Sequence, residues 1–477
     1  MTKKLLLGTL SIAFFAMMQS CKVIQPYERP QVKTEWEEKL YRASVAQAEE
    51  DSISFGALAW REVFTDPQLQ ALIEEGLQNN YNIKNAVLQI EQAQATFTQT
   101  KAAFLPNVNF APSITNSQNS KAALNFPAGI NIQLNTTLYQ FPLMASWEID
   151  VWGKLKSTRK MQLANLMKAE VTKRAVEAEI ISGIANYYYV LAALDKQLEI
   201  TKQTLEIRKQ SLETMKALQE TGRINGAIVV QSEANMYAVE VAIPDIERRI
   251  REVENALSIL LGRPADAINR GQIDAQVTAM QGLKISTGVP LQLLRNRPDI
   301  QAAEFAFQAS FEQTNYTRTL FYPNLTLSTA NIGFSALTKN SLFEKSLFYT
   351  ITGMITQPIF NRGNLKMQLA NAKVGQNISL NNFYSSLLKA GQEVSDALFA
   401  YETAKKKSEI RIKQITTLEQ SVEFTRELLT YTSSTTYSDV LNSEQALLGA
   451  QLELINDQLV QLQSMVTLYK ALGGSNR

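Results

Sequence analysis

The chain has 477 residues, with 47 Lys and Arg against 45 Asp and Glu, a formal net charge of +2, and 45% apolar residues. Balanced charge excludes the basic face that nucleic acid demands, and the absence of histidine removes imidazole as base, nucleophile or metal ligand. A single cysteine rules out an intramolecular disulfide, and no mature segment has the roughly 20 uncharged apolar residues of a membrane-spanning helix.

At the start, Lys3 and Lys4 precede an apolar run from Leu5 to Met18, followed by Gln19, Ser20 and Cys21. A basic opening, a short apolar core and a small residue at the exit describe an export signal over residues 1–20. The only cysteine stands immediately after it. This points to a bacterial lipoprotein cleaved before Cys21 and acylated there, palmitate included, because one acyl chain alone anchors only marginally. Met18 stands where leucine is more usual, and a buried thiol is the competing reading.

Residues 21–60 form an N-terminal segment, after which elements repeat. Asp66-Pro67 places proline at a first helical position beside an acidic residue and leads into a helix over Leu69–Thr100. The period then changes to two. Val108 to Phe110 alternates, and Ala145, Trp147, Ile149 and Val151 alternate with Ser146, Glu148 and Asp150, giving strands over ~106–116 and ~138–151. No proline occurs between Pro142 and Pro244, and apolar residues recur at three- and four-residue steps from Lys154 to Glu220. Such a helix is about 100 Å long at ~1.5 Å per residue. After the small, polar turn Thr221–Gly226, a partner returns over Ile228–Leu261, with Pro244 bending or ending one of its parts.

Beyond a link over 263–291 the same series recurs. Arg297-Pro298-Asp299 opens a helix over Ile300–Arg318, and strands follow over ~323–333 and ~347–358, where Tyr349, Ile351 and Ile355 alternate with threonines. Helices over Asn364–Tyr431 and Asp439–Leu472 flank a second polar turn, Ser433–Ser438, before a short tail, 474–477. The repetition reaches individual letters. Met161-Gln-Leu-Ala-Asn165 recurs as Met367-Gln-Leu-Ala-Asn371, and Phe104-Leu-Pro-Asn107 answers to Phe321-Tyr-Pro-Asn324. The chain therefore reads as two fused halves, 61–262 and 292–473.

A strand with one apolar and one polar face fits a soluble sheet resting on a core, but nothing else in either half is available to cover that face. Lipid outside and water inside require the same alternation. Four strands cannot close, and an open edge is intolerable in lipid. Two chains would supply eight strands and three would supply twelve, both within the range of known barrels; sequence physics leaves both open.

Cys21-Lys-Val-Ile-Gln-Pro-Tyr-Glu-Arg-Pro30 and Leu293-Leu-Arg-Asn-Arg-Pro-Asp-Ile-Gln-Ala-Ala-Glu304 resemble, respectively, the opening and the repeat-start signature of the TolC-like outer membrane factor family, in its NodT-type lipoprotein branch. The resemblance implies a mixed α and β membrane protein: a homotrimer with a twelve-stranded transmembrane β-barrel, four strands per chain, continued by a long α-helical coiled-coil barrel. A mixed equatorial belt would draw on residues ~22–60 and ~262–291. It implies a passive exit duct of a tripartite efflux or export system, partnered by a periplasmic adaptor protein and an inner-membrane transporter of the RND type. No cofactor is expected beyond the lipid on Cys21, and no metal.

In that family the helix turns form the periplasmic mouth and meet the adaptor. The resemblance thus assigns Gly222 and Arg223, and Ser434 and Thr435, to the adaptor-contacting tips. It assigns Asp439, Asn442 and, more weakly, Tyr437 to the periplasmic gate, where some relatives carry two aspartates three apart. Three copies of Asp439 around an axis would repel, raise one another's pKa and attract cations; the alternative is an aspartate serving its own helix N-terminus. Glu148 and Asp150 read either as barrel-lumen residues or as solvated groups at a strand end. The competing functions are a lipid-anchored coiled-coil scaffold without a pore and an enzyme using carboxylates such as Glu233 and Glu444, whose repetition reads as structural.

Overall fold

The computed structural model describes residues 23–32, 36, 55–120, 134–281, 297–337, 345–431 and 436–474. The expected signal (1–20), Cys21, Ser434 and Thr435 lie outside the described residues, as do most of 33–54 and the first part of the repeat-start signature, Leu293 to Asn296. Contacts divide the chain into two compact units, one of Met1–Pro30, Ile90–Lys168 and Ala303–Asn382, the other of Gln31–Gln89, Ala169–Ala302 and Phe383–Arg477.

The first unit holds an antiparallel sheet. β1 (Asn107–Phe110) and β2 (Ser113–Gln118) pair with β3 (Asn135–Ile149), β3 with β4 (Asn324–Ala336), and β4 with β5 (Leu347–Thr356). β1 and β2 are one strand interrupted. Asn107 faces Ser146 and Ser113 faces Gln140, a register that carries unbroken across residues 111 and 112. Pro112 has no N–H to give to the ladder, while Ala111 N still donates to Pro142 O at 3.2 Å. The sheet is therefore four strands wide, and β1, β2 and β5 have free outer edges among the described residues.

Register fixes the two faces, because directly opposed residues point the same way. Phe141 faces Phe334, Leu143 faces Ile332, Ile332 faces Tyr349, and Leu325 faces both Ile149 and Ile355. The opposite face pairs Asn116 with Thr137, Asn331 with Thr350, and Asn324 with Thr356. Within β4 the apolar residues change phase, from Leu325 and Leu327 to Ala330, Ile332 and Phe334. The pairing slips by one residue at that point with both neighbours, between Leu327 and Thr329 on the β5 side. This bulge absorbs the phase change and keeps Leu325, Leu327, Ile332 and Phe334 on one face. That face is open: Tyr349, Ile351 and Ile355 are 75%, 69% and 70% exposed.

The strand expected over ~138–151 stops at Ile149. Asp150 is claimed by the next helix, its Oδ1 accepting from Leu155 N at 3.0 Å and its Oδ2 from Lys156 N at 2.9 Å, while Glu148 pairs with Lys154 Nζ at 2.8 Å. Both carboxylates thus serve the strand-to-helix joint. Gly153 (φ +80°) turns that joint, and Gly363 (φ +80°) turns the corresponding one after β5.

The helices, in chain order, are α1 (Trp60–Val63), α2 (Pro67–Asn79), α3 (Tyr81–Ala102), α4 (Lys154–Glu220), α5 (Gly226–Glu240), α6 (Ala242–Leu261), α7 (Ile273–Gln281), α8 (Pro298–Thr319), α9 (Asn364–Tyr431) and α10 (Tyr437–Ala471). Uninterrupted by proline, α4 runs 67 residues and α9 runs 68. One expectation needs correction. The helix expected over Leu69–Thr100 is two, because buried Asn80 is extended (ψ 129°), accepts from Asn82 N at 2.8 Å to start α3, and donates to Leu260 O at 2.8 Å. The helix over Ile228–Leu261 is divided near Pro244, in keeping with the expectation that this proline bends it or ends one of its parts. Pro244, third in α6, cannot donate to the preceding turn, and the chain breaks at Val241.

The second unit contains a buried aromatic and aliphatic core. Phe55 and Phe64 meet Tyr469 edge-on at 5.9 and 5.7 Å, with Trp60, Tyr188 and Tyr189 fully buried nearby in the same cluster. Arg297 pins the end of α10 by donating to Ala471 O at 3.0 Å while pairing with Asp299 and Glu393, each at 2.7 Å. Burial alone would raise the Asp299 carboxyl, but the fork-like pairing with Arg297 outweighs it and holds the group below the usual carboxylate range. No helix among the described residues is long and apolar enough to cross a membrane.

Candidate functional site

Within the second unit, α4 ends on a glycine because the chain must reverse there. Gly222 is left-handed (φ +72°), its N–H reaching Gln219 O at 2.9 Å and that of Arg223 reaching Leu218 O at 3.0 Å. This pair of bonds satisfies the last carbonyls of the helix. A side chain at 222 would meet nothing within 4 Å, so conformation alone demands glycine. Gly222 and Arg223 are both exposed, and Asn225 then starts α5 by accepting from Ile228 N at 3.3 Å.

The start of α10 is built by a capping box. Asp439 Oδ2 accepts from Thr436 N at 2.8 Å and from the Thr436 hydroxyl at 2.7 Å. Those bonds hold the Asp439 carboxyl below its ordinary value. Within one chain, then, Asp439 serves its own helix, and its pKa moves opposite to the direction that crowding around an axis would give. Asp439 and Asn442 are both exposed and one turn apart, so they share a face.

Tyr437 is not on that face. It is 7% exposed, packed with Met215 and Leu441, and its hydroxyl donates to Ser232 Oγ at 2.9 Å. Expected at the constriction, it instead ties the two helical hairpins together, because apolar side chains from α4 surround the one aromatic ring at the head of α10.

One cluster escaped the sequence reading. Buried Glu444 lies between two arginines: Arg208 Nη1 is 2.5 Å from its Oε2, and Arg426 donates to its Oε1 through Nε at 3.0 Å and Nη2 at 2.6 Å. Arg208 occupies a core phase between Leu205 and Leu212, which was the available signal. Farther along α10, buried Asp457 is paired with Lys407 at 2.5 Å and Arg411 at 3.1 Å. Glu233, by contrast, is only half-buried, and Tyr237 donates to it at 3.4 Å.

In the first unit, the segment that follows Cys21 is tied along α8. Gln25 N donates to Asn315 Oδ1 at 3.1 Å, and Asn315 Nδ2 donates back to Gln25 O at 3.0 Å. Tyr27 meets Phe311 and Phe307 at 5.6 and 6.0 Å, and Arg29 pairs with Glu304 at 2.6 Å. Burial pushes the Tyr27 hydroxyl up to about 12. Among the described residues no group of histidine, cysteine, aspartate and glutamate could hold a metal ion.

The model of the outer membrane efflux protein family matches residues 72–263 and 289–474. The probable efflux pump outer membrane protein TtgC of Pseudomonas putida is 28% identical over 487 residues, covering 99% of this chain and 96% of TtgC. The probable outer membrane lipoprotein SilC of Salmonella typhimurium is 28% identical over 480 residues, covering 98% of each. Among solved structures, CusC superposes with a TM-score of 0.83 at 26% identity, over 95% of this chain and 99% of that one.

Proposed function

Taking as premise that the chain belongs to the outer membrane efflux protein family, we propose that it is the outer membrane channel of an efflux system. It acts as a passive duct through which solutes leave once an adaptor and an inner-membrane transporter, of the RND type, engage its inner end. The observation that carries this reading is the sheet. Four strands present one exposed apolar face and one polar face, with free edges on both sides. An apolar face of that kind suits hydrocarbon, and free edges cannot remain free within it.

Three copies would close the wall as a twelve-stranded barrel, with a long α-helical barrel in the periplasm and a mixed belt. The two separate matches to the family model, and the left-handed glycines that close both α6 (Gly262, φ +72°) and α10 (Gly473, φ +87°), support an internal two-fold repeat. Cys21 carries the lipid anchor, supported by the lipoprotein description of SilC. Gly222, Arg223, Ser434 and Thr435 form the adaptor-facing tips, supported by the exposure of the first two. Asp439 and Asn442 line the gate, supported by their shared exposed face; Tyr437 is withdrawn from that role.

The test is planar-bilayer conductance of the mature, lipidated protein, with its mass in detergent measured by light scattering. The expected result is a trimer that inserts and conducts. A monodisperse monomer, or stable insertion without conductance under any gating condition, would refute the duct.

A further inference from the structure

The strap Val23–Pro30 is bound more specifically than a tether needs. It runs antiparallel to α8. Ile24 Cδ1 fills the space at Gly153, where a Cβ would come within 2.0 Å of it. Gln25 is clipped at both its N–H and its C=O by the one side chain of Asn315, which is fully buried and also accepts from Arg318 Nη1 at 3.0 Å. Tyr27 then lies on Phe311 and Phe307, and Arg29 on Glu304. The lengths agree: four extended residues from Gln25 to Arg29 cover about 13 Å, and the eleven helical residues from Asn315 to Glu304 about 16 Å.

A primary amide that meets both polar groups of one backbone residue reads position along the chain, since a slip of one residue would lose both bonds. The upper end of the strap is also the place where β3 turns into α4 at Gly153, and α8 ends at Thr319, five residues before β4 begins. Only one residue, Lys22, lies between Val23 and Cys21, so at most about 7 Å of chain separates them.

We propose that the Asn315 clip and the Ile24–Gly153 contact form a registering device. They hold the acylated N-terminus at the rim of the sheet, so that the lipid enters the bilayer beside the apolar face that must insert. Asn315 is thus a positioning residue for membrane insertion. The proposal rests on the lipid-anchor reading of Cys21 and goes beyond it by making the place of attachment, as well as the lipid, matter.

Three variants test it, each read by incorporation of labelled palmitate and by the fraction of chain recovered as inserted, protease-resistant oligomer. Asn315→Ala should leave the label unchanged, speed proteolytic cutting of the strap by about tenfold, as loss of a hydrogen-bonded clip implies, and lower insertion. The pair Gln25→Cys and Asn315→Cys, joined by a disulfide in the oxidising periplasm, should restore insertion in place of the lost clip. A flexible Gly/Ser insert of about ten residues between Lys22 and Val23 keeps the clip but lengthens the leash by about 18 Å; it too should lower insertion, which a merely structural strap would not explain. Normal insertion of the labelled, leash-lengthened chain would overturn the proposal. Absence of label on the wild-type chain would overturn the anchor reading itself, and the proposal with it.

Discussion

Glu444→Gln is the sharpest probe of the helical hairpins. In the native protein one carboxylate meets two guanidiniums, and the three groups are not equally screened. Arg208 is 2% exposed and its Nε has no hydrogen-bond partner among the described residues, so its charge is compensated by Glu444 alone. Arg426 is 45% exposed and solvent can replace its partner, so its share is at most about 1 kcal/mol. Removing the carboxylate charge leaves Arg208 buried and unpaired, a situation that costs about 3–5 kcal/mol. Glutamine still accepts from Arg426, which favours the lower end, about 3 kcal/mol, or roughly two orders of magnitude in a local opening constant. A single melting temperature is ill-defined for a chain with two units, so the measurement is native-state hydrogen exchange of the amides flanking residue 444. Exchange there should quicken by about a hundredfold. Replacing all three groups together (Arg208→Met, Arg426→Leu, Glu444→Leu) should return exchange close to wild type, because apolar packing substitutes well for a buried ion pair. Wild-type exchange in Glu444→Gln would refute the view that this cluster is a desolvated charge network.

Deleting Ser328 removes the phase change and the β4 bulge together, because Leu325 and Leu327 then alternate regularly with Ile332 and Phe334 on one face; membrane insertion should persist, and loss of the inserted, protease-resistant chain would show that the bulge does more than absorb the extra residue. Gly222→Val should fray the end of α4, because φ +72° costs a β-branched residue about 1–2 kcal/mol, whereas Gly222→Asn should be tolerated; limited proteolysis at the tip separates the two. Asp439 has a depressed carboxyl pKa, so its contribution to the α10 start is complete above the ordinary value of 3.8 and is lost as pH falls through the lower folded value. Protection of the Val440 amide, its exchange taken relative to the intrinsic rate at each pH, should therefore be flat from neutral pH down to about 4 and fall only in stronger acid. Asp439→Ala should fray α10 at every pH, raise conductance and weaken block by divalent cations; unchanged block would remove Asp439 from the constriction.

The long helices were legible because their sequences lack proline and keep a helical period, and the strands because polar and apolar residues alternate. Even the bulge left a trace, in the change of phase between Leu327 and Ala330. The sequence reading failed where a distant partner decides. Asparagine is acceptable inside a helix, and Asn80 breaks one because its amide reaches the carbonyl of Leu260, 180 positions away. Tyr437 has the position of a pore residue by resemblance, but Ser232, 205 positions away, accepts its hydroxyl and holds it inside. Asp150 belonged to the alternating pattern by letter and to the next helix by hydrogen bonding. The Arg208–Glu444 pair joins positions far apart in the chain, and only the charge at a core phase hinted at it.

The free margins of the sheet bear on heredity as well as on architecture. If copies close one wall as proposed, a polypeptide that folds but carries a faulty margin would be recruited alongside healthy siblings and leave a leak that they cannot mend. Lesions in β5 or in the β1–β2 strand should therefore act dominantly when co-expressed with the wild-type gene. Lesions that merely prevent folding should be recessive, because such a product never takes a seat in the ring.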